Sequence, residues 1–306
     1  MEEAPLSLTS RRVLLLLSGT ALLLAVACGA PGTPIGPSPF ASPSPLPSPK
    51  VAILSVDGLR PDALRAAGAP NILALARRGA YTWKAQTVFP SVTLTAHSSM
   101  LSGVGPLEHG MTWDEWKPGR GCIPVPTVFG VAKAAGSRTV VVAGKDKFQH
   151  LNVPGTIDSF VLTGQGDADV ANRAIVEVQA GFDLLFVHFP DTDLSGHSSS
   201  WLSGAYLTHV GEADRAIGRL VEALPAETTV ILTADHGGQG HNHGSNDAVD
   251  MTIPWVIAGP RIVARGRELQ FPVRITDTTV TALYLLGVSP PPGVTGKVVS
   301  EAFSLQ

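Results

Sequence analysis

Five short apolar runs recur along residues 50–306, and stretches with helical spacing of their apolar residues separate them. Runs of this length suit strands that are buried on both faces of a sheet. Pro61 and Pro126 fit first helical turns, and Gly136 fits a helix end. Strands that alternate with helices predict an α/β fold with a doubly wound, mostly parallel sheet and helices on both faces. The predicted strands are 51–56, 139–144, 183–189, 229–234 and 252–259, and the predicted helices are 61–79, 125–135, 167–180, 201–224 and 275–287.

A different pattern covers the amino-terminal segment. Two arginines precede an apolar run at 13–27, and Cys28 follows directly. This order predicts an export signal over residues 1–28, because a run of fifteen residues is shorter than the roughly twenty that a spanning helix needs. Ala-Val-Ala before Cys28 resembles a bacterial lipoprotein box, although alanine stands where leucine is usual. We expect an exported protein anchored to the membrane by a lipid on Cys28, with ordinary signal-peptidase cleavage after Ala27 as the alternative.

Composition separates a linker from one folded domain. Residues 29–49 are rich in proline and serine and have no apolar periodicity, which is typical of an extended tether. Residues 50–306 are long enough for one sizeable core, and 44% of the whole chain is hydrophobic. The formal net charge is −3 and no long basic run occurs, so we predict no nucleic-acid surface.

Three of the five apolar runs end in aspartate. Asp57 follows the first, Asp191 and Asp193 follow the third, and Asp235 follows the fourth. In open α/β sheets, ligands bind beyond the carboxyl ends of the strands. Carboxylates that converge there repel one another unless a cation lies between them. The alternative is that each aspartate caps the turn or helix that follows it.

Histidines accompany two of these strand ends. His197 stands four residues after Asp193, with Gly196 favouring a loop, and His236 follows Asp235 directly. Mixed aspartate and histidine ligands suit Zn²⁺ or Mn²⁺ better than Ca²⁺. Two more histidines lie in a glycine-rich loop, at positions 241 and 243. Three occupy ordinary helix, strand or loop contexts and are interpreted as structural: His150, His188 and His209.

The stretch FPSVTLTAHSSMLSG (89–103) contains a candidate nucleophile. Thr93 follows a turn led by Pro90 and precedes a predicted helix at 94–102. A threonine in that place is most often a helix N-cap. A helix N-terminus also favours an anion, and a metal-bound hydroxyl can act as a nucleophile without a general base.

Taken in order, these residues resemble the alkaline phosphatase superfamily, and most closely its nucleotide pyrophosphatase and type I phosphodiesterase branch. The resemblance covers nearly all of residues 50–300. Its motifs are VDGLRPD (56–62), the stretch 89–103, PLEHGM (106–111), TADHGG (233–238) and DTTVTALYLLGV (277–288).

The resemblance implies two divalent metal ions, most often Zn²⁺, with Mn²⁺ as the alternative. Asp191 would contact the metal ligands without binding a metal ion itself, and His97 and His109 fit structural positions of the motifs. Since Gly244 follows His243, as a glycine typically follows the family ligand, His243 is preferred over His241. The first ion would be held by Asp57, Asp235, His236 and Thr93, and the second by Asp193, His197 and His243.

The implied function is hydrolysis of phosphate esters, and of phosphodiester or pyrophosphate bonds in particular, with Thr93 attacking phosphorus to give a phosphothreonine. A phosphomonoesterase, a phosphonate hydrolase and an inactive surface-binding lipoprotein remain alternatives. A sulfatase is disfavoured because Thr93 does not stand in a C/S-x-P-x-R motif. Three tryptophans are either walls of a substrate pocket or core residues: Trp113, Trp116 and Trp201.

One position departs from the branch. Where relatives carry an asparagine that donates to phosphate, this chain has Asp114, which only accepts when ionised. Asp114 is therefore a candidate substrate contact in one of three states. It is protonated, it turns away to cap a turn, or it binds a cationic part of the substrate.

Overall fold

A computed structural model describes residues 49–263 and 265–303. The predicted export signal and, apart from Pro49, the predicted linker lie outside these residues. Within the described ranges, every helix is too short or too polar to cross a membrane.

A mixed eight-stranded sheet forms the centre of the described chain, in the order β4-β3-β5-β1-β6-β7-β2-β8. The strands β4, β3, β5, β1 and β6 run parallel, whereas β7 is antiparallel to both β6 and β2. The fold is therefore the mostly parallel α/β fold that the sequence predicts. The strands are β1 (Lys50–Val56), β2 (Ala80–Gln86), β3 (Thr139–Ala143), β4 (Ser159–Leu162), β5 (Leu184–Phe189), β6 (Thr228–Thr233), β7 (Thr252–Ala258) and β8 (Arg267–Glu268).

Helices cover both faces of this sheet. The α-helices are α1 (Pro61–Ala66), α2 (Pro70–Arg78), α3 (Thr93–Ser102), α4 (Pro106–His109), α5 (Val128–Ala134), α6 (Asp167–Ala180), α7 (Asp191–Ser199), α8 (Gly204–Ala223), α9 (Ala248–Met251) and α10 (Asp277–Leu286). Helices α1, α2, α6 and α7 pack with α8 in one layer, and α3, α5 and α10 pack together in the other. Short 3₁₀ turns lie at Pro118–Arg120, Asp146–Leu151 and Ser300–Ala302.

All five predicted strands are present, and the differences have local causes. The predicted helix 61–79 is two helices, because Gly68 takes a positive φ of 65° between them. Pro126 lies outside α5, which begins at Val128 behind a Thr127 cap. The expectation of a loop around Gly196 is wrong, since this glycine lies inside α7. A glycine inside a helix costs about 1 kcal/mol relative to alanine, and packing around Gly196 offsets this cost.

The register of the central strands brings their carboxyl ends to one level. Val56 of β1 pairs with Phe189 of β5, and Ser55 pairs with Thr233 of β6. All residues of β1 after Lys50 are buried. The segments that leave β1, β5 and β6 therefore begin side by side at one edge of the sheet.

Candidate metal centre and nucleophile

Two imidazoles and a carboxylate form the first group of candidate metal ligands. Asp193 and His197 lie four residues apart on one face of α7, and His243 approaches from the loop after β6. His197 donates Nδ1–H to the carbonyl of His241 at 2.9 Å, and His243 donates Nδ1–H to the carbonyl of Ser91 at 2.9 Å. Both Nε2 atoms therefore carry lone pairs, and they lie 3.1 Å apart. Asp193 Oδ1 is 3.5 Å from the first and 3.6 Å from the second.

A second group lies beside it and shares Asp193. One ligand atom each from Asp57, Asp193 and His236 falls within 4.8 Å of the others. His236 donates Nδ1–H to the carbonyl of Gly237, so its Nε2 lone pair faces Asp57 Oδ1 at 3.4 Å. Asp235 Oδ2 is 3.3 Å from the same Nε2. Asp57, Asp235 and His236, which are predicted to hold the first ion, thus converge at this point.

Burial makes these groups fit divalent metal ions. Asp193 Oδ1 and Asp235 Oδ2 are buried and have no hydrogen-bond donor among the described residues. Burial and the charges of Asp57 and Asp193 raise the pKa of Asp235 well above its usual range. Burial also lowers the pKa of His243, with help from His236, to about 4. Buried acceptors and lone pairs that face one another are costly without a cation, and mixed Asp and His ligands suit a transition metal.

The Thr93 hydroxyl lies at this centre. Thr93 is the first residue of α3, and Val92 is the N-cap residue, so the hydroxyl does not cap the helix. Thr93 Oγ1 is 3.5 Å from Asp57 Oδ1, to which it donates, and 3.5 Å from His236 Nε2. The residue is fully buried. The N-cap alternative is therefore wrong, and the hydroxyl is available for chemistry.

Lys145 lies inside the same cluster, and no pattern in the sequence indicated it. Its ammonium is 2.7 Å from Asp57 Oδ2 and 2.6 Å from Asp193 Oδ2. Burial alone would lower the pKa of Lys145, but the carboxylates of Asp57 and Asp193 outweigh burial and raise that pKa above its ordinary value. The ammonium therefore neutralises part of the acidic cluster. The available signal was its position just after β3, at the edge where the aspartates follow their strands.

His188 is a second residue whose role the sequence did not indicate. The Gly144 N–H donates to its Nδ1, so His188 donates Nε2–H to Asp57 Oδ2 at 2.8 Å. It lies on β5 opposite Ser55 of β1, one residue before the end of β5, and Asp57 follows the end of β1 beside it. Burial would raise the pKa of Asp57, but Lys145 and His188 outweigh it and hold that pKa well below its usual range. His188 therefore orients a candidate ligand.

Asp114 meets protein donors with both of its oxygens. Oδ1 accepts from the Leu94 N–H in the first turn of α3 at 2.7 Å, and Oδ2 accepts from Lys147 at 2.6 Å. The side chain thus caps the helix that begins with Thr93, in line with the second of the three states. Lys147, rather than Asp114, is then the hydrogen-bond donor near the place where relatives carry the asparagine.

The remaining predicted residues lie around the centre. His241 is exposed and donates Nδ1–H to the carbonyl of His197, so it orders the loop. The carboxylate of Asp191 accepts from the Asp167 N–H, and the carboxylate of Asp167 accepts from the Asp191 N–H, which joins the starts of α7 and α6. His97 and His109 are fully buried, and Trp113 and Trp116 both pack against His150. Trp201 is buried next to His197.

Family comparisons agree with this geometry. Residues 51–123 match the family described as type I phosphodiesterase / nucleotide pyrophosphatase, and residues 120–282 match the metalloenzyme superfamily. The second match covers more than half of the chain and contains Asp193, His197, Asp235 and His236. The chain belongs to this metalloenzyme superfamily. This agrees with the resemblance of the motifs to the alkaline phosphatase superfamily, and the part of the chain that matches its nucleotide pyrophosphatase branch is residues 51–123.

Relatives with assigned activities are similar to only part of this chain. A 2,3-bisphosphoglycerate-independent phosphoglycerate mutase from Cereibacter sphaeroides is 28% identical over 178 residues, which are 55% of this chain and 33% of the mutase. The mutase from Synechococcus elongatus is 29% identical over 144 residues, 43% of this chain and 27% of that one. The chain thus spans about a third or less of these curated relatives.

Solved structures share the fold. Murine ectonucleotide pyrophosphatase / phosphodiesterase 5, an inactive form in complex with AMP, has a TM-score of 0.72 at 15% identity and covers 84% of this chain and 100% of that one. A putative sulfatase from Bacteroides thetaiotaomicron has a TM-score of 0.69 at 15% identity, with 85% and 75% covered. At this identity the likeness concerns the fold alone.

Proposed function

We propose that this protein is a two-metal hydrolase of phosphate esters that uses Thr93 as its nucleophile. One observation carries the proposal: the buried Thr93 hydroxyl lies 3.5 Å from both Asp57 Oδ1 and His236 Nε2 and caps no helix. Phosphodiester or pyrophosphate bonds are the first substrate class, supported by the family match over residues 51–123.

The ligand sets follow the facing lone pairs. Asp57, Asp235, His236 and Thr93 would hold one ion, and Asp193, His197 and His243 the other. Zn²⁺ is the first candidate and Mn²⁺ the second, because both accept imidazole and carboxylate ligands. When bound, the ions supply Lewis-acid stabilisation of negative charge on the oxygens around phosphorus.

The chain's own residues prepare the attack. Thr93 directs its hydroxyl hydrogen at Asp57 Oδ1, and the positive end of α3 favours negative charge on the Thr93 oxygen. The bond from Thr93 Oγ1 to phosphorus forms as the ester P–O bond breaks. The hydroxyl proton of Thr93 passes to solvent and the alcohol of the ester leaves, so a phosphothreonine remains. Water then hydrolyses this ester and restores Thr93. Asp114 fixes the first turn of α3 through the Leu94 N–H, which keeps Thr93 in place.

A specific observation favours a second candidate, hydrolysis of a phosphomonoester or a phosphonate. Three carboxylates and two divalent ions leave one positive charge, which suits the single negative charge of a diester. The buried Lys145 ammonium adds another positive charge, and divalent ions held by Asp57 and by Asp193 would repel it toward the substrate. Two positive charges suit a dianion such as a monoester above its second pKa of about 6.

The decisive assay compares two aryl phosphates. Purified protein loaded with Zn²⁺ or Mn²⁺ is given bis(4-nitrophenyl) phosphate and 4-nitrophenyl phosphate, and kcat/KM is measured for each. A higher value for the diester supports the first class, and a higher value for the monoester supports the second. Turnover should disappear with chelator and return with metal. A metal-loaded protein that hydrolyses neither ester contradicts the proposal and favours a binding protein.

We also propose that the protein is exported and held at a membrane by a lipid on Cys28. The described chain begins at the amino end of β1, whereas the candidate centre lies beyond its carboxyl end. Seven strand residues separate the two by about 20 Å. A tether upstream of Lys50 would therefore join the domain at the end of β1 that lies away from the candidate centre.

A further inference from the structure

Trp201 lies against three glycines at the candidate centre. Its side chain is 5% exposed. A Cβ atom built on Gly196 would lie 2.6 Å from the indole, one on Gly238 would lie 2.3 Å from it, and one on Gly58 would lie 3.2 Å from it. The indole therefore fills space that only the missing side chains of these glycines leave free.

These glycines belong to the three segments that carry the candidate ligands. Gly58 follows Asp57, Gly196 precedes His197, and Gly238 lies two residues after His236. A single side chain thus contacts the end of β1, helix α7 and the loop after β6. Each of these segments ends or starts at a different strand of the sheet.

Hydrogen bonds fix the indole in this position. Trp201 donates its Nε1–H to the carbonyl of Gly58 at 2.9 Å. Its backbone N–H donates to the carbonyl of Gly240 at 2.8 Å, in the loop that carries His243. The ring also meets the candidate ligands edge-on, with centroids 5.2 Å from His197 and 5.8 Å from His243.

The backbone around Trp201 adopts a costly conformation. Ser200 has a φ of 77° and Leu202 a φ of 65°, and they are the non-glycine residues with positive φ in the described chain. Such conformations persist only where surrounding contacts hold them, and they concentrate at functional sites. The strain on both sides of Trp201 indicates that its placement is maintained against the local preference of the chain.

We propose that Trp201 is a positioning residue that fixes the spacing of the two metal-ligand groups and thereby sets their metal affinity. This rests on the proposed function, because it takes the centre to be a metal site. Trp201 acts through Gly58, the α7 ligands and the loop of His243, and it is not a catalytic residue. Residues behind metal ligands commonly contribute 10- to 100-fold to metal affinity.

The test is a metal titration. Trp201→Phe keeps an aromatic ring but removes the indole N–H and part of the ring that fills the space between the glycines. Zn²⁺ titration by calorimetry should show binding weakened about 10- to 100-fold relative to the parent. Trp83→Phe is the matched control, since Trp83 packs on Tyr81 in β2 and should leave the affinity unchanged.

A second variant distinguishes the loss of the Trp201 contact from simple misfolding. Gly196→Ala keeps Trp201 but places a methyl group against the indole, and alanine favours the helix. It should weaken Zn²⁺ binding in the parent and have a much smaller effect in the Trp201→Ala background, because the two changes act on one contact. Thermal unfolding in chelator checks that each variant folds.

Parent-like Zn²⁺ affinity in both Trp201→Phe and Gly196→Ala would overturn the proposal. The readout does not use ester hydrolysis. A parent protein that binds two ions but hydrolyses no phosphate ester contradicts the proposed function, and the titration still decides the role of Trp201. A parent protein that binds no Zn²⁺ and no Mn²⁺ overturns both.

Discussion

The Nε2 atoms of His197 and His243 lie 3.1 Å apart, and each imidazole donates its other ring nitrogen to a backbone carbonyl. Two lone pairs at this distance repel one another unless a proton or a cation lies between them. Burial lowers the pKa of His243 to about 4, which disfavours the proton near neutral pH. A divalent cation would satisfy both imidazoles and the carboxylate of Asp193.

This relationship predicts which loop histidine binds metal. His243→Ala should lower the bound metal from about two ions per chain toward one, because it removes a ligand from the group shared with Asp193. His241→Ala should retain both ions, since His241 is exposed and only donates to the carbonyl of His197. Elemental analysis of purified protein measures the count. The reverse outcome would assign the ligand to His241.

Lys145 should stabilise the metal-free protein much more than the metal-loaded one. Lys145→Met leaves Asp57 and Asp193 buried without their shared cation, which typically costs 3–5 kcal/mol. Added Zn²⁺ should restore most of the unfolding free energy, because it replaces the lost charge. Denaturant unfolding with and without metal measures both states.

A partly exposed ion pair provides the control for this prediction. Lys133 pairs with Asp158 at the surface, so Lys133→Met should cost less than about 1 kcal/mol in either state. An equal loss for Lys145→Met with and without Zn²⁺ would mean that Lys145 does not share the cation position.

The buried histidines predict how stability depends on pH. Burial lowers the pKa of His109 to about 4, below its ordinary value of 6.5. The unfolded chain therefore binds the proton first, so stability is complete above about pH 6.5 and falls as the pH approaches 4. At pH 5 this one imidazole costs at most about 2 kcal/mol. His109→Gln should flatten the pH dependence of the unfolding free energy in chelator. If the slope of the unfolding free energy against pH is unchanged in His109→Gln between pH 4 and 6.5, His109 is not the group responsible for this pH dependence.

The membrane anchor gives a prediction outside the described residues. Cys28→Ser should move the protein from the membrane fraction to the soluble extracytoplasmic fraction, because it removes the acylation site. Fractionation followed by immunoblotting measures the distribution. A parent protein that is soluble after export would instead favour ordinary signal-peptidase cleavage after Ala27.

How far the sequence predicts this structure depends on what each residue signals locally. Buried strands such as 51–56 carry an apolar run that only Ser55 interrupts, which predicts a strand, whereas β2 alternates buried with partly or fully exposed residues and is not predicted. From the sequence alone, Gly196 indicates a loop. It lies in a helix because Trp201 packs against it, and this tertiary contact is not visible in the local sequence.

Site residues follow the same division. Asp57, Asp235 and the residues around them follow recognisable strands in ordered motifs, so their convergence could be predicted. Lys145 also follows a strand, but a lone lysine after an apolar run is ordinarily a surface residue. His188 lies within a strand, and only the register between β5 and β1 reveals that it reaches Asp57.

Trapping of the covalent intermediate tests the central claim most directly. Metal-loaded protein is mixed with an aryl phosphate, quenched in acid within the first turnovers and mapped by peptide mass spectrometry. Phosphate should be found on Thr93. Thr93→Ala should carry no phosphate and lose turnover by several orders of magnitude while retaining its metal. Ser98→Ala, which removes a hydroxyl bonded only within α3, should behave like the parent. Phosphate on another residue, or turnover within about tenfold of the parent in Thr93→Ala, would contradict the account.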